Sequence, residues 1–442
     1  MKKFLTYILF TSCLFSLFGC QKVQESDLSL SNEDISRTIT KVTEIMVHDV
    51  TNPPLAARFF AYTCISGYEV IAQNDSKYAS FEANLNGFPN IKKTEVGGYS
   101  SSLSAVLAMV ETAMKLQPSG VMLEEYKKAF LDSCLQAGYS QSVVENSEKY
   151  AKAISQQVLS YAATDRYNKT TSLPKYTPKE GKGYWYPTPP AYFGAVEPHF
   201  NTLRPLTLDS VPQFKPEPPA PFSEDPDSPF FKMLEEVYKE GRGRTEETRT
   251  IASFWDCNPF AMQTTGHLMV ALKKISPGAH WMGITGIACE TANKDFHETM
   301  KIHAVLSIGL MDAFLSCWDE KYRSNRIRPE TAIRKYIDPT WEPLLQTPPF
   351  PEYTSGHSTV SGSAGQILTF YFGDNFKFID TTERAYGLAD RTFPSFMDAA
   401  QEAAVSRLYG GIHYRDANEN GIKQGINVGR WVIKSIEGKE VM

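Results

Sequence analysis

Three separated polar segments within residues 318–416 constrain this chain more than any other feature. Residues 321–329 carry a lysine and an arginine seven positions apart and end in a proline. Residues 353–357 read Tyr-Thr-Ser-Gly-His and lie just before an apolar, helix-like run. Residues 406–416 open on Ser-Arg and contain a second histidine. Together the segments contain cations, a hydroxyl, a glycine amide and two imidazoles. A fold that brings these groups together would form a pocket for a tetrahedral oxyanion such as phosphate.

The residue types suit that chemistry individually. Arginine presents forked donors to adjacent anionic oxygens, and lysine adds a compact charge. A helix that begins near Ser355 leaves backbone amides free for an anion in its first turn, and Gly356 allows the backbone to approach closely. His357 can act as a general acid or base, and His413 can act as a nucleophile or a metal ligand.

The order and spacing of the segments, K-x6-R-P, then S-G-H, then S-R-x5-H, resemble a known signature. Vanadium-dependent haloperoxidases and type 2 phosphatidic acid phosphatases share it. The resemblance implies that His357 is the acid or base and that His413 either attacks phosphorus or binds vanadium. It also implies five residues that hold the oxygens of phosphate or vanadate: Lys321, Arg328, Ser355, Gly356 and Arg407.

The chain departs from the family pattern at two positions. Thr354 stands where the family usually has a proline, which contributes rigidity rather than a donor. The family usually continues His-x3-Asp, with the aspartate orienting the histidine, whereas here Ala417 takes that place and Asp416 is three positions after His413. Residues three apart still share a helix face, so Asp416 is a catalytic candidate; the alternative is a solvated loop acid.

The predicted fold class is all-α, a single domain of the haloperoxidase and phosphatase bundle type. Apolar residues recur at helical spacing in 35–50, 55–72, 99–116 and 144–163, which predicts an added N-terminal helical layer. Dense prolines in 173–229 exclude regular helix or central strand there, and their aromatic neighbours favour an ordered strap over a disordered linker. Helices are expected again in 245–254, 260–274, 284–319 and 419–436. The layer and strap (35–228) and the catalytic bundle (229–442) are expected to form one compact domain.

The first residues predict export. Residues 1–19 combine two lysines with an apolar run, as a secretory signal does. The run ends Leu-Phe-Gly-Cys, which resembles the lipobox of bacterial lipoproteins and implies lipidation of Cys20, a polar tether over 20–34 and anchorage to a cell-envelope membrane. The alternative is an uncleaved membrane anchor, although the run is short of the ~20 residues a span needs. No later segment is expected to cross a bilayer.

Composition and the remaining polar residues restrict the kinds of partner and site that this chain is expected to have. The 442 residues are 42% hydrophobic, enough for a large core, and a net charge of −5 gives no indication of nucleic-acid binding. Five cysteines outside the first 20 residues are scattered without metal-ligand spacing and are expected to be buried thiols. His297 and His303 are expected to be ordinary polar positions. Asp256 and Asp312 either support the arginines or act as solvated or capping acids.

Two chemistries fit the same pocket, because phosphate and vanadate share geometry and charge. Chain length, the N-terminal layer and residues 347–353 resemble the haloperoxidases, which predicts a vanadate-dependent enzyme that oxidises halide with hydrogen peroxide. Phe350 lies roughly where chloroperoxidases carry phenylalanine, and is a candidate for the halide pocket. One alternative is a phosphatase that needs no cofactor and hydrolyses phosphomonoesters or lipid phosphates through a phosphohistidine at His413. The other is a non-catalytic surface protein that binds an oxyanion or a partner. Oligomeric state stays open.

Overall fold

The computed structural model describes residues 30–189, 191–265, 268–271 and 274–440. The signal peptide, Cys20 and most of the tether therefore lie outside the described residues. Within these ranges the chain forms fourteen α-helices and two small antiparallel sheets of two strands each. The helices are α1 (Asn32–His48), α2 (Pro53–Ala72), α3 (Ser101–Leu116), α4 (Leu123–Ala137), α5 (Gln141–Ala162), α6 (Tyr167–Thr170), α7 (Pro229–Arg242), α8 (Glu246–Phe254), α9 (Pro277–Thr291), α10 (Phe296–Ser324), α11 (Pro329–Tyr336), α12 (Gly356–Phe372), α13 (Phe396–Tyr409) and α14 (Arg415–Glu437). The strands are β1 (Met262–Thr265), β2 (Leu268–Ala271), β3 (Phe378–Asp380) and β4 (Arg391–Phe393). The predicted all-α class is confirmed.

The N-terminal helical layer is built around α2 and α3, which are buried on nearly every face. Asn52 caps α2 through the Leu55 amide and two prolines follow it, a favourable helix start. α2 packs on α3 and on α10, which joins this layer to the C-terminal half. α1 begins at Asn32 behind a capping box, so the tether predicted to reach residue 34 ends earlier.

Helix α4 was not predicted, because its buried stripe contains a charge. Lys127 lies on that stripe and pairs with Glu111 and Glu148, at 2.6 Å each. A lysine at a core-facing position weakens the apolar periodicity by which a helix is recognised. The predicted helix over 260–274 is wrong as well: β1 and β2 form a hairpin there, and its Thr264, Thr265 and Val270 are of types that favour strands.

The apolar stretch predicted over 284–319 is two helices, α9 and α10, because Asp295 caps a new helix through the Glu298 amide. α10 is long and apolar enough to cross a membrane by length and composition, which the sequence analysis did not expect. However, 94% of its most apolar window is buried inside the protein, as in the core helix of a soluble domain. His303 lies on this helix with Nδ1 2.9 Å from the Thr299 carbonyl, so it is part of the core.

α12 and α14 pack closely enough that glycines are required between them. A side-chain carbon on Gly425 would run into the Thr359 carbonyl and come within 2.9 Å of the Ser363 amide. Gly421 and Gly429, one turn to either side, meet α12 in the same way. Because the three glycines lie four residues apart, they form one continuous stripe along α14. This contact holds the start of α12 beside the start of α14.

The proline-rich strap is ordered where the structure describes it, as predicted. Trp185 is buried, and its amide donates to the Asn325 carbonyl at 2.9 Å, while the Ile327 amide donates to the Gly183 carbonyl at 2.9 Å. Phe200 is also buried, whereas four of the strap aromatics that suggested packing are exposed: Tyr184, Tyr186, Tyr192 and Phe193. The strap therefore runs against residues 325–327, between the lysine and the arginine of the first segment.

Asp312 fastens the end of the strap to α10. Its buried carboxylate accepts from the amides of Leu206 and Thr207, both at 2.7 Å, and from the Thr207 hydroxyl at 2.7 Å. The Leu208 amide adds a longer bond of 3.3 Å. The suggestion that Asp312 supports the arginines is therefore wrong, since its oxygens bind this backbone instead.

Candidate active site

The start of α12 forms one wall of the site. Ser355 caps the helix by accepting from the Ser358 amide at 3.3 Å, and its own amide donates to the Ala417 carbonyl at 3.0 Å. A side-chain carbon on Gly356 would touch the Trp318 ring at 3.5 Å, so the backbone passes close to that indole. Both residues are buried. The first turn of α12 is thus fixed by the Ser355 cap and by the chain that enters α14.

Arg328 and His413 meet behind this turn. Arg328 donates through Nε to the Phe350 carbonyl at 2.9 Å and through Nη1 to the Ile412 carbonyl at 2.9 Å. The same Nη1 lies 3.1 Å from His413 Nε2. Nη2 of Arg328 is buried without a hydrogen-bond partner in the described residues. One forked donor of a fully buried guanidinium is therefore unused beside the histidine.

Arg407 and His357 meet at Trp255, on the opposite side of the site from Arg328. Arg407 Nη1 donates to the Trp255 carbonyl at 2.7 Å, and the same carbonyl accepts from the His357 ring. Nε of Arg407 and Nε2 of His357 are both buried without a partner in the described part of the chain. Asp256 pairs with Lys274, and its charge also favours the protonated form of Arg407. Of the two aspartates considered as support for the arginines, this one lies near an arginine.

Lys321 is fully buried and is committed to backbone carbonyls. Its Nζ donates to the carbonyls of Pro351 at 3.1 Å, Glu352 at 3.0 Å and Thr354 at 2.5 Å. An ammonium group has three donors, so all of them shape the 351–354 segment in this structure. Burial lowers the pKa of Lys321 to about 7, and the nearby Arg328 charge acts in the same direction. The lysine therefore lies beside the site without a free donor.

Glu352 is the partner that orients His413, and the sequence analysis did not identify it. Its Oε1 lies 2.8 Å from His413 Nδ1 and accepts from the Tyr414 amide at 3.0 Å. Its Oε2 accepts from Arg326 Nε at 2.6 Å. A carboxylate at Nδ1 requires a proton there, so Nε2 carries the lone pair.

The prediction that Asp416 orients the histidine is wrong. Arg326 takes both of its oxygens, at 2.7 and 2.6 Å, and the Ala220 amide of the strap donates to it at 3.4 Å. Glu352 precedes His413 by 61 positions, so no spacing rule within the third segment could find it. The available signal was an acid directly before the Ser-Gly-His segment.

Both histidines are electrically neutral in this environment. Burial lowers the pKa of His413 well below its ordinary value, and the charges of Arg328, Lys321 and Arg407 lower it further. Burial and the charge of Arg407 do the same to the pKa of His357. Neutral imidazoles keep a lone pair available, as a ligand atom or a proton acceptor must.

A cleft of about 410 Å³, its mouth included, opens onto these groups. Its described polar lining is Cys257, Asn258, His357, Arg407 and His413, and its described apolar lining is Pro53, Phe260, Pro277, Phe314, Trp318, Pro348 and Phe350 with Gly356. Lys321, Arg328 and Ser355 are not in this described lining. Pro53 begins α2, so the N-terminal layer supplies part of the wall.

Phe350, the halide-pocket candidate, is in this lining. Its ring centroid lies 5.0 Å from the ring centroid of Trp318. Lys321 Nζ lies 5.1 Å and the Arg328 guanidinium 5.0 Å from the Phe350 centroid. The phenyl group therefore lies against both buried cations.

Several known proteins are similar to this chain in sequence or in fold. A family model described as the second helical-bundle domain of vanadium chloroperoxidase matches residues 301–439. The vanadium chloroperoxidase of Curvularia inaequalis is 31% identical over 98 residues, a stretch that spans 19% of this chain and only 16% of that enzyme. The crystal structure of a bacterial vanadium-dependent iodoperoxidase matches with a TM-score of 0.87 and 44% identity, over 92% of this chain and 97% of that one. The chain belongs to the vanadium-dependent haloperoxidase family.

Two further solved structures, the holo-type and apo-type forms of a bacterial vanadium-dependent chloroperoxidase, are similar in fold. Their TM-scores are 0.63 and 0.65 at 13% and 12% identity, and each match spans 88% of this chain. The predicted resemblance to the haloperoxidase family is confirmed. The prediction rested on three short segments, whereas the match to the iodoperoxidase covers 92% of this chain.

The donor set fits the vanadium oxyanion on which the family depends. Unsatisfied buried polar atoms are rare in native proteins, yet three are found here on Arg328, Arg407 and His357. Two are guanidinium donors, which suit oxyanion oxygens. His413 Nε2 adds a neutral nitrogen lone pair. Of the predicted oxyanion residues, the structure brings Arg328, Gly356 and Arg407 together with both histidines; Ser355 serves as a helix cap and Lys321 binds carbonyls.

Proposed function

We propose that this chain is a vanadate-dependent haloperoxidase that uses hydrogen peroxide to oxidise iodide. The observation that carries the proposal is the pairing of two unsatisfied buried guanidinium donors, on Arg328 and Arg407, with a neutral His413. Glu352 fixes the proton of His413 on Nδ1, which leaves Nε2 as the ligand atom. The overall reaction converts halide, peroxide and a proton into hypohalous acid and water.

In the proposed site, His413 would hold vanadium through Nε2 and the arginines would hold the oxygens of vanadate. The amide of Gly356 at the α12 N-terminus and the Ser355 hydroxyl would complete this set, and Lys321 would add positive charge beside Phe350. Bound vanadate supplies the Lewis acidity that makes peroxide electrophilic. These positively charged residues are in place before the reaction begins. They neutralise the charge of the bound anion in a site shielded from water.

His357 is proposed to move the protons. Its Nε2 is unpartnered at the cleft, and its low pKa keeps it unprotonated at neutral pH. It can therefore accept the proton that hydrogen peroxide gives up on entering the site. Returning that proton to the departing oxygen yields water, so the imidazole is unchanged over one turnover.

The proposed halide is iodide because the cleft wall is largely apolar and includes four aromatic side chains. Phe260, Phe314 and Trp318 line it with Phe350, so an anion there must give up much of its hydration. Iodide is the largest and most weakly hydrated of the common halides and the most easily oxidised. The match to the bacterial iodoperoxidase at 44% identity supports the same choice.

The test is a pair of assays on the purified chain. With vanadate and peroxide present, turnover of iodide, bromide and chloride is compared, and iodide is expected to give the highest kcat/KM. His413→Ala is expected to abolish turnover in this assay. The second assay omits vanadate and measures phosphate release from a generic phosphomonoester.

Two outcomes would contradict the proposal. Ester hydrolysis that vanadate inhibits, without halide oxidation, would identify a phosphatase that works through His413. Vanadate binding with neither turnover would identify a non-catalytic oxyanion-binding protein.

We also propose that the chain is exported and held on a membrane of a bacterial cell envelope through lipidated Cys20. The support is in the sequence: two lysines, an apolar run and Leu-Phe-Gly-Cys at residues 17–20. Acyl chains would keep the folded part at the membrane surface. Mass spectrometry should find acylated Cys20 as the first residue, and Cys20→Ala should move the protein to the soluble fraction; an unmodified N-terminus in the membrane fraction would contradict lipidation.

A further inference from the structure

A second cluster of ligand-type side chains lies directly behind the Trp255 segment. It consists of Cys257 after α8, His280 in the first turn of α9 and Glu383 after β3, all of them buried. Their Sγ, imidazole nitrogen and carboxylate oxygen face one another within 4.8 Å. The three residues come from separate parts of the chain, so only the fold brings them together. The sequence analysis found no metal-ligand spacing among the cysteines for this reason.

The separations match one face of a metal-binding tetrahedron. His280 Nδ1 lies 3.3 Å from Cys257 Sγ and 3.3 Å from Glu383 Oε1, and the sulfur lies 3.8 Å from that oxygen. Zinc bonds of about 2.3 Å to sulfur and about 2.0 Å to nitrogen or oxygen place tetrahedral ligand atoms about 3.3–3.5 Å apart. The three atoms therefore already stand close to the spacing such an ion requires.

The far side of the imidazole is arranged as it is behind many metal-bound histidines. His280 Nε2 lies 2.7 Å from Asp380 Oδ2. Asp380 Oδ1 in turn accepts from the Thr382 amide at 3.0 Å and the Thr382 hydroxyl at 2.6 Å. A carboxylate in this position keeps a proton on Nε2 and presents the Nδ1 lone pair to the ion. Cys257 and Glu383 stand on that side.

Glu383 completes the cluster with a buried carboxylate. Its Oε1 lies 3.3 Å from His280 Nδ1 and 3.8 Å from the Cys257 thiol, a weak donor. A charged imidazole between two carboxylates is the alternative that needs no ion, because its Nδ1 would then donate to Glu383 Oε1 at 3.3 Å. In both cases the buried carboxylate requires a positively charged partner, and metal titration distinguishes the two.

We infer that Cys257, His280 and Glu383 bind a divalent transition-metal ion of the zinc type. A thiolate, an imidazole and a carboxylate form a ligand set for such an ion rather than for calcium or magnesium. Cys257 also lines the cleft, which gives the ion a route in. Binding releases the thiol proton and forms the metal–sulfur bond.

The proposed ion would fix the segment that orients Arg407. The Trp255 ring stacks on His280 with centroids 4.6 Å apart, and its carbonyl accepts from Arg407. A metal bond at Cys257, two positions further on, would tie this segment to α9 and to the turn after β3. Of the three proposed ligands, Cys257 borders the cleft, whereas His280 and Glu383 are not in its described lining. The occupancy of the site can be measured without any turnover.

The experiment titrates cobalt(II), a spectroscopic substitute for zinc, into the chelator-treated full chain without vanadate. The expected result is about one equivalent bound, with a thiolate-to-cobalt charge-transfer band that zinc then removes. Cys257→Ser should lose the band, and Glu383→Gln should weaken binding at least tenfold. Cys289→Ser, a change at another buried cysteine, should leave the titration unaltered.

Thermal unfolding provides the second readout. Zinc should raise the unfolding temperature of the unaltered chain and of Cys289→Ser, and should do so far less for Cys257→Ser. Should Cys257→Ser not fold, the comparison rests on Glu383→Gln, which keeps the size of the side chain. Absence of a thiolate band in the folded, unaltered chain would overturn the inference, as would an unchanged band and affinity in Glu383→Gln.

Discussion

Glu352 shows how one buried carboxylate can determine the state of a whole site. It accepts from His413, from the Tyr414 amide and from Arg326, and it is completely buried. It pairs with Arg326, at 2.6 Å. It also determines which nitrogen of His413 faces the cleft.

Glu352→Gln is therefore expected to lower vanadate-dependent kcat or vanadate affinity about ten- to a hundredfold, the usual effect of losing a group that orients a metal ligand. The amide keeps the shape but removes the charge that pairs with Arg326 and makes the acceptor at His413 Nδ1 weaker. Steady-state kinetics against peroxide and vanadate would measure it.

Asp416→Asn is the matched control, because it removes a negative charge that pairs with Arg326 and leaves the contacts of His413 in place. Its loss is expected to be clearly smaller. Equal losses in the two variants would mean that the Arg326 ion pair, rather than the orientation of His413, is what matters.

At the scale of helices, the contact between α12 and α14 determines where the catalytic segments meet. Both Ser355 and the chain entering α14 lie at the end of this contact, joined by the bond from the Ser355 amide to the Ala417 carbonyl. A change in the spacing of the two helices would move the α12 N-terminus relative to His413. The glycine stripe thus acts on the site as well as on stability.

Gly425→Ala is expected to destabilise the protein by about 1–3 kcal/mol, as overpacking of a core does. Alanine would favour helix by about 1 kcal/mol over glycine, but the added carbon runs into the Thr359 carbonyl, a backbone atom that cannot rotate away. Denaturant unfolding would give the difference. Asn427→Ala, at an exposed position two residues along α14, is the control and should change stability little; an unchanged Gly425→Ala would show that the two helices can separate at low cost.

The elements that sequence predicted well are those with local signals. The α2, α3 and α5 helices have long apolar periodicity, and proline density excluded helix from the strap. α4 was missed because Lys127 interrupts its stripe, and the β1–β2 hairpin because a short apolar run fits helix and strand alike. The same limit applies to the site. Lys321, Arg328, His357 and His413 lie in compact segments, whereas Glu352 meets His413 from 61 positions away. The Cys257 cluster joins three segments and has no local pattern.

At the scale of the whole molecule, stability depends on pH through Glu69 on α2. Its side chain is buried, with one oxygen accepting from the Phe81 amide and the other without a partner in the described residues. Burial raises its pKa to about 7 from an ordinary 4.5. Between these values the folded state binds more protons than the unfolded state. Stability from this group is therefore complete below about pH 4.5 and is lost as pH rises to about 7.

Glu69→Gln is expected to stabilise the protein at pH 8 by about 3 kcal/mol, which is the pKa difference expressed as free energy. The amide can still accept from Phe81 but carries no charge. At pH 4.5 the two proteins should differ little. Denaturant unfolding at both pH values measures this, with exposed Glu95→Gln as the control; a stabilisation that is equal at both pH values would rule out titration of Glu69 as its cause.

The two halves of the chain are expected to fold only together. α10 packs on α2, α9 packs on α1, and the Asp312 carboxylate on α10 binds the backbone at Leu206, Thr207 and Leu208. Expressed alone, residues 229–442 would expose these apolar faces and leave a buried acid without its donors, at a cost well above the 5–15 kcal/mol that stabilises a typical domain. Pro53 would also be missing from the cleft wall. The fragment is therefore expected to bind a hydrophobic dye, to unfold without a cooperative transition and to bind no vanadate, while residues 30–442 do the opposite. A sigmoidal melt of 229–442 with vanadate bound would instead make the bundle an independent domain and the N-terminal layer an addition that its stability does not require.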